Sequence, residues 1–312
     1  MTFLNVLKPG RNEIVADDGV AQGMTRRING TLRRAFTSLL LVTCTWSSAD
    51  SIEAARTGYF RLEFSPLELL GEQGVMDAAE ILRSDESLSW QLYVPDTYDA
   101  TRPVGVVVFV SPTPKGGPPR IWNEPLGEKN LIWIGANDAG NRVAVGKRMF
   151  LAMLAPKILA NEYVLDADRI YVAGFSGGGK TASRVAVARP EVFHGGIYIA
   201  GAEAWGTSTP PPKLDIIRQN YHVFLTGTND FNERLTRRVY ASYKGAGVEN
   251  CNLIVVKRLG HELPGRSVFI RAIDYLDSRN SSSGDAKDDA SGATERAGHL
   301  WIGNSRLPLL PL

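Results

Sequence analysis

The sequence is poor in cysteine, which excludes a disulfide-stabilised architecture. Its 312 residues include two cysteines, Cys44 and Cys251. Cys44 falls in a segment that we expect to be removed from the mature protein, so no intrachain disulfide framework can form. Cys251 opens an apolar run and has no histidine beside it in sequence. We therefore interpret it as a small strand residue and not as a nucleophile.

The sequence also lacks a strong net charge and a long hydrophobic run. The formal net charge is +2, and residues 1–49 carry three more basic than acidic side chains, which leaves −1 for the remainder. A nearly neutral body argues against a nucleic-acid-binding protein. The apolar run at residues 39–46 is too short to span a bilayer, so we expect no stable membrane insertion.

Residues 1–49 have the layout of a secretory leader. Four arginines precede the apolar run 39–46, and the small residues 47–49 follow it. The arginine pair at 33–34, followed by Ala35 and Phe36, partly resembles a twin-arginine export signal. We therefore expect the true start to be Met24 and the protein to be periplasmic or secreted. The alternative is a cytoplasmic protein with an amphipathic N-terminal extension.

Residues 50–278 are predicted to form one α/β domain, because apolar runs rich in β-branched and aromatic residues recur between helical stretches. The predicted strands are 59–64, 88–94, 104–110, 131–134, 169–173, 196–200, 222–226 and 253–256. The predicted helices are 142–160, which Pro156 is expected to kink or end, 179–188, 233–244 and 266–276. Residues 279–312 are predicted to be a disordered tail, since the stretch 278–298 is dominated by Ser, Asp, Gly, Ala and Lys.

Two of the predicted strands indicate the sheet type. The run 104–110 and the run 170–173 are apolar without alternation. Continuous apolar strands are typical of a parallel sheet whose two faces are both covered by helices. The sequence therefore predicts a mostly parallel central sheet with helices on both faces.

A nucleophile motif follows the predicted strand 169–173. Residues 174–178 read Gly-Phe-Ser-Gly-Gly, which is a G-x-S-x-G elbow with Ser176 at its centre. The serine must stand on a very tight turn, where side chains two residues to either side would collide. Gly174 and Gly178 meet that need. The backbone N–H of Gly177 is then expected to point at the substrate oxyanion, together with the positive end of the following helix.

The same residues also satisfy a phosphate-binding motif. Residues 174–181 fit G-x-x-x-x-G-K-[ST], with Lys180 and Thr181 at its end. A strand before the motif and a helix after it are expected for both interpretations. The strand after the motif ends in Gly-Ala-Glu at 201–203 and lacks the aspartate that would hold Mg²⁺ in a nucleotide-binding site.

A serine elbow predicts an acid and then a histidine after later strands. Asp230 follows the predicted strand 222–226, and His261 follows the strand 253–256. Asp230 is expected to orient the imidazole, and His261 to act as the general base. The other three histidines, at 194, 222 and 299, are less well placed along the chain. Glu203 is the reserve acid, and Asp215 is a weaker one.

The second oxyanion donor is expected in the loop after the strand 104–110. That loop, 111–117, reads Ser-Pro-Thr-Pro-Lys-Gly-Gly, so its two prolines have no N–H to offer. Ser111 and Thr113 remain as candidates, although a rigid proline-rich turn explains the segment equally well. The segment 137–141 reads Asn-Asp-Ala-Gly-Asn and favours a simple turn over a wall of the pocket.

The stretch leading into the elbow is similar to that of a known family. Asp166, Arg169, Ile170 and Tyr171 form an Asp-x-x-Arg-Ile-Tyr pattern before the elbow, and the segment 189–196 also fits. Residues 85–278 resemble bacterial α/β-hydrolases near the polyhydroxybutyrate-depolymerase and feruloyl-esterase-like group. The resemblance implies the α/β-hydrolase fold, the same nucleophile, acid and base, and hydrolysis of carboxylic esters without a cofactor or metal. The loop 111–117 departs from the family's oxyanion loop.

Three functions follow from these patterns. The first is a serine hydrolase acting on a small-molecule or polymeric ester through Ser176. The second is a P-loop nucleotide-binding enzyme that uses residues 174–181. The third is a non-catalytic binding protein with the α/β-hydrolase fold, because a fold does not fix a function.

Overall fold

The computed structural model describes residues 55–205 and 210–284. The predicted leader at 1–49 lies outside the described residues, and so does the chain from residue 285 onward. The last described helix continues to Gly284. Across the described ranges, no helix is long and apolar enough to cross a membrane.

Every predicted strand is present. The strands are β1 (Gly58–Phe64), β2 (Leu88–Val94), β3 (Val104–Val110), β4 (Leu131–Ala136), β5 (Leu165–Phe175), β6 (Gly195–Ile199), β7 (Tyr221–Gly227) and β8 (Cys251–Val256). In the described part of the chain they form one eight-stranded sheet, in the order β1-β2-β4-β3-β5-β6-β7-β8. The first two pairings are antiparallel, and all those from β4 to β8 are parallel. The largest boundary difference is at β5, which begins at Leu165.

Helices cover both faces of the sheet. They are α1 (Pro66–Asp77), α2 (Asn123–Glu128), α3 (Val145–Leu159), α4 (Gly177–Ala188), α5 (Leu214–Gln219), α6 (Glu233–Gly245) and α7 (Arg266–Gly284). Side chains of α3, α4 and α6 share one core with one face of the sheet, and those of α2 and α7 share a second core with the other face. Val106 and Val108 of β3 belong to the first core, and Val107 and Phe109 to the second.

The burial of β3 explains its composition. All seven of its residues are buried, because it lies near the middle of the sheet with helices on either side. A strand with no solvated face needs no polar residue at alternate positions. The prediction of a mostly parallel sheet covered on both faces is therefore confirmed.

The helices that were not predicted are α1, α2 and α5. Ser65 and Glu68 form a capping box at the start of α1, with Pro66 as its first residue. This helix-start signal consists of polar residues and is not part of the hydrophobic pattern used to predict helices. Its periodicity is broken at Gly71, which has a φ of 68°. The helices α2 and α5 have six residues each, too few to show a helical period. Pro156 lies in the last turn of α3, which ends at Leu159.

His222 is a buried structural residue at the start of β7. Its Nε2 lies 3.2 Å from the carbonyl oxygen of Ile217, and its Nδ1 lies 2.9 Å from the hydroxyl of Tyr198. A neutral ring satisfies both contacts by donating from Nε2 and accepting at Nδ1. Burial lowers the pKa of His222 from 6.5 to about 4.

This burial predicts a pH-dependent stability. Between pH 6.5 and 4 the unfolded chain binds a proton that folded His222 excludes, so the free energy of unfolding falls as the pH falls. Above pH 6.5 both states are neutral at this residue and the effect vanishes. The expected loss from His222 alone is about 3 kcal/mol by pH 4. Urea unfolding of wild type and His222→Gln between pH 7.5 and 4 measures this loss of unfolding free energy, since the variant has no imidazole at position 222. Parallel pH curves for the two proteins would contradict the prediction.

Candidate active site

Ser176 is the single residue between a strand and a helix. Strand β5 ends at Phe175 and helix α4 begins at Gly177. Ser176 has φ 57° and ψ −121°, a backbone conformation that a residue with a Cβ rarely adopts. Its N–H donates to the carbonyl oxygen of Ile199 in β6 at 2.8 Å. The strained turn therefore places the hydroxyl at the edge of the sheet, beyond the end of β5.

The glycines on either side of the serine are required by close backbone contacts. A Cβ on Gly174 would lie 2.3 Å from the carbonyl oxygen of Gly178. A Cβ on Gly178 would lie 1.9 Å from the carbonyl oxygen of Val110, at the end of β3. Any larger residue at either position would push the strand, the turn and the helix apart.

The structure brings the three expected side chains into one hydrogen-bonded chain. His261 Nε2 lies 2.8 Å from Ser176 Oγ, and His261 Nδ1 lies 2.8 Å from Asp230 Oδ1. Because Nδ1 faces a carboxylate, it carries the proton, and Nε2 is left to accept from the serine hydroxyl. This arrangement can draw a proton from Ser176 and hold the resulting imidazolium beside a negative charge.

The carboxylate of Asp230 is fixed by further donors. Its side chain is fully buried. The hydroxyl of Thr226 donates to Oδ2 at 2.9 Å, and the N–H of Asn232 donates to Oδ1 at 2.9 Å. The amide of Asn232 also donates to the carbonyl oxygen of Ala200, which ties the loop after β7 to the end of β6.

The loops that carry the acid and the histidine are bonded to each other. The N–H of Asn229 donates to the carbonyl oxygen of Leu259 at 3.0 Å, and the N–H of Arg258 donates to the hydroxyl of Thr228 at 2.8 Å. Strands β5, β7 and β8 are parallel, so their carboxyl ends meet at one edge of the sheet. The shared edge and the loop contacts together explain how residues far apart in sequence become neighbours.

Two solved structures with a similar architecture are hydrolases. S-formylglutathione hydrolase from Staphylococcus aureus matches with a TM-score of 0.51 and 11% identity, over 71% of this chain and 99% of that chain. A feruloyl esterase module from Clostridium thermocellum, complexed with sinapinate, matches with a TM-score of 0.50 and 14% identity, over 71% of this chain and 88% of that one. This chain has the α/β-hydrolase fold.

The likeness to known proteins is structural. A thermostable esterase also matches, with a TM-score of 0.49 and 14% identity over 72% of this chain, which spans 62% of the length of that esterase. No protein-family model matches the sequence, and no curated protein is similar to it in sequence. At these identities structural similarity establishes the fold and not the activity.

Two aromatic rings flank the imidazole of this α/β-hydrolase-fold protein. The ring of Phe175 lies 5.0 Å from that of His261, and the ring of Phe231 lies 4.0 Å from it, tilted by 30°. Phe231 is 77% exposed, whereas the His261 side chain is 21% exposed. Sequence reasoning missed both phenylalanines, although each is adjacent in sequence to a predicted site residue.

The other histidines that the structure describes lie elsewhere. His194 directly precedes β6, and His222 is the second residue of β7. Both therefore lie at the amino ends of parallel strands. Ser176 stands at the carboxyl ends of the parallel strands, which is the opposite end of the sheet. His299 is outside the described residues.

The reserve acids have other partners. The carboxylate of Glu203 lies 3.8 Å from the guanidinium of Arg184, and its backbone N–H donates to Ser183 Oγ at 2.9 Å. Asp215 forms an exposed ion pair with Arg218 at 3.0 Å. The carboxylate that contacts His261 is that of Asp230.

The segment 174–181 does not form a phosphate-binding loop. Only Ser176 separates the strand from the helix, so the three glycines at 177–179 lie within the first turn of α4. A P-loop needs an extended glycine-rich loop whose N–H groups surround a phosphate. The hydroxyl of Thr181 donates to the carbonyl oxygen of Gly177 at 3.0 Å, inside the helix.

The candidate oxyanion donors have unequal positions. Gly177 is the first residue of α4, where N–H groups have no partner within the helix. Ser111 begins the loop after β3, and its carbonyl carbon would lie 3.2 Å from a Cβ placed on Gly178. The start of this loop is therefore close to the elbow. The N–H of Thr113 is already used, because it donates to Ser111 Oγ at 3.1 Å.

Cys251 has the structural role expected for it. It begins β8, is buried, and its thiol donates to the carbonyl oxygen of Val248 at 3.1 Å. Burial raises the pKa of the thiol to about 11, so the thiolate that a nucleophile requires is disfavoured.

Proposed function

We propose that this protein is a serine hydrolase that cleaves carboxylic esters. The observation that supports the proposal best is the continuous hydrogen-bonded chain from Asp230 through His261 to Ser176 on a strained elbow. Each contact is 2.8 Å long, short enough for proton transfer without rearrangement. Two solved neighbours are an S-formylglutathione hydrolase and a feruloyl esterase module, which agrees with an ester substrate.

Acylation would begin at the serine hydroxyl. Ser176 Oγ attacks the ester carbonyl carbon while His261 Nε2 takes the hydroxyl proton, and the carbonyl π electrons move onto the oxygen. The buried carboxylate of Asp230 stabilises the imidazolium and keeps its orientation. The tetrahedral intermediate then collapses, the bond to the alcohol oxygen breaks, and His261 gives its proton to that oxygen.

Deacylation would repeat these steps with water. His261 takes a proton from water as the water oxygen attacks the acyl carbon, and collapse returns the proton to Ser176 Oγ with release of the acid. All proton transfers use one imidazole, and hydrolysis changes no oxidation state, so the steps balance without a redox partner. The exposed ring of Phe231 lies 4.0 Å from the imidazole, so it is available to contact a bound substrate.

The substrate is proposed as a small-molecule or polymeric carboxylic ester. Aryl esters of increasing acyl length, assayed under one set of conditions, would define the acyl preference. A maximum of kcat/KM at one chain length would identify the acyl group that the site accepts.

Lys180 distinguishes hydrolysis from nucleotide binding, since a P-loop requires this lysine and an elbow does not. Lys180→Ala is expected to keep ester hydrolysis and covalent labelling by a fluorophosphonate within about threefold of wild type, because the side chain is not among the reacting groups. Magnesium ATP is expected to leave the melting temperature of wild type unchanged, since a ligand stabilises only a state that it binds.

The control for the Lys180 experiment is Ser176→Ala, which should not be labelled. An increase of the melting temperature with magnesium ATP that disappears in Lys180→Ala would overturn the hydrolase proposal. Absence of both labelling and nucleotide binding in wild type would instead favour a non-catalytic binding protein.

A further inference from the structure

The side-chain amide of Asn141 lies directly against the elbow. Asn141 is in the loop between β4 and α3, and a Cβ built on Gly177 would lie 2.3 Å from its Oδ1 and 2.9 Å from its Nδ2. Gly177 does not have a positive φ, so its backbone conformation does not require glycine. The Asn141 amide therefore occupies the space beside Gly177 that a side chain at position 177 would need.

The loop expected to supply the second oxyanion donor has no free N–H across residues 112–116, all of which the structure describes. Pro112 and Pro114 have none. The N–H of Thr113 donates to Ser111 Oγ at 3.1 Å, and that of Lys115 to Thr113 Oγ1 at 3.4 Å. The N–H of Gly116 donates to Asn137 Oδ1 at 3.1 Å. A donor in this segment would have to break an existing bond before it could bind an oxyanion.

The backbone of Asn141 is held in place by that same loop. Its N–H donates to the carbonyl oxygen of Pro112 at 2.9 Å, and the N–H of Asp138 donates to that of Pro114 at 2.7 Å. A Cβ on Gly140 would lie 2.9 Å from the carbonyl carbon of Thr113, so the two loops are in close backbone contact. Although the side chain of Asn141 reaches the surface, its backbone is tightly fixed.

A buried arginine joins the three segments around this position. Arg148 is 4% exposed, and its guanidinium donates to three carbonyl oxygens: Ala139 at 2.9 Å, Ser111 at 3.0 Å and Gly177 at 3.4 Å. These belong to the loop after β4, the loop after β3 and the start of α4. The guanidinium thus fixes the Asn141 loop against the elbow, which gives the preorganisation that oxyanion stabilisation depends on. Its positive charge also favours an anion nearby.

We propose that the side-chain amide of Asn141 is a catalytic residue that donates a hydrogen bond to the substrate oxyanion, together with the backbone N–H of Gly177. This inference rests on the ester hydrolysis proposed above. Rotation of the amide about χ2 exchanges Oδ1 and Nδ2, so the N–H₂ group can face the oxygen as its negative charge develops. The amide remains neutral throughout and transfers no proton.

The test compares Asn141→Ala and Asn141→Asp with wild type on one aryl ester. Each variant is expected to lower kcat by ~10²- to 10³-fold, the loss typical of one missing oxyanion donor, with KM within about threefold of wild type. Asn141→Asp has the same size but no donor, so it should be at least as impaired as alanine. Arg142→Ala, the next residue of the same loop with an exposed side chain, is the matched control and should stay within about twofold.

A trifluoromethyl ketone inhibitor separates this catalytic role from a structural one. Such a ketone forms a hemiketal oxyanion with the serine, so its inhibition constant should rise in the Asn141 variants by the factor by which kcat/KM falls. Thermal melts of the same samples check that the variants are folded. Folded Asn141 variants that keep kcat within threefold, while hydrolysis still requires Ser176, would overturn this inference alone. Absence of Ser176-dependent hydrolysis in wild type would overturn the proposed function, and the inference with it.

Discussion

Ser176→Ala is expected to lower kcat for an aryl ester by at least ~10⁴-fold, because no acyl-enzyme can form without the hydroxyl. The backbone of the elbow should survive the change, since alanine and serine meet the same cost at a φ of 57°. The melting temperature should therefore stay within a few degrees of wild type, and fluorophosphonate labelling should be lost.

The matched control for Ser176→Ala is Ser84→Ala, which replaces an exposed serine in the turn before β2. It should leave both labelling and hydrolysis unchanged. If Ser176→Ala retained turnover near the wild-type level, Ser176 would not be the nucleophile, and the observed hydrolysis would have to arise from another group.

His261→Ala is expected to be nearly as damaging, with a loss in kcat of about 10³- to 10⁶-fold, because members of such a triad act as a unit. The serine remains but loses its proton acceptor at 2.8 Å. Fluorophosphonate labelling should therefore continue at a much lower rate, which distinguishes this variant from Ser176→Ala. Labelling reactions quenched at times from minutes to hours would measure the difference in labelling rate between the two variants.

His194→Gln is the control for the histidine experiment. His194 lies at the opposite edge of the sheet, where its Nδ1 is 3.7 Å from Asp168. Burial is the main cause that lowers its pKa, so it is predominantly neutral at pH 7 and glutamine preserves its charge. The variant should keep full activity. If His194→Gln or His222→Gln were the inactivating change in a folded protein, the predicted base would be wrong.

The sequence stretch that resembles known hydrolases has a structural explanation. Arg169 donates to both carboxylate oxygens of Asp277 at 2.9 and 3.0 Å, and the hydroxyl of Tyr171 donates to the same carboxylate at 2.7 Å. Asp277 lies in α7, so the arginine and the tyrosine of the Asp-x-x-Arg-Ile-Tyr pattern anchor that helix to β5. The pattern therefore fastens α7 to β5, and the bonds that Arg169 and Tyr171 make to Asp277 do not involve the reacting groups.

The sequence by itself was sufficient to predict the sheet and the three residues that meet at its edge. Ser176 directly follows an apolar strand, Asp230 and His261 lie in the loops after two others, and parallel strands deliver their carboxyl ends to one side. The proposed nucleophile, acid and base therefore follow from the positions of strand ends along the chain. The need for glycine at 174 also follows from the sequence, because it arises within the turn, whereas the contact of Gly178 with Val110 is tertiary.

Only the tertiary structure decided what depends on contacts between loops. Residues 174–181 satisfy both the elbow motif and the phosphate-loop motif. The start of α4 at Gly177 is what distinguishes the elbow from the phosphate loop. The use of the Thr113 N–H within its own turn, and the placement of Asn141 over Gly177, arise from packing between segments that follow different strands. Such packing is set by side-chain shape and by the buried guanidinium of Arg148, which have no periodic signature in a sequence. The positions of the strands are encoded along the chain, whereas the direction of a loop N–H is determined by its neighbours in space.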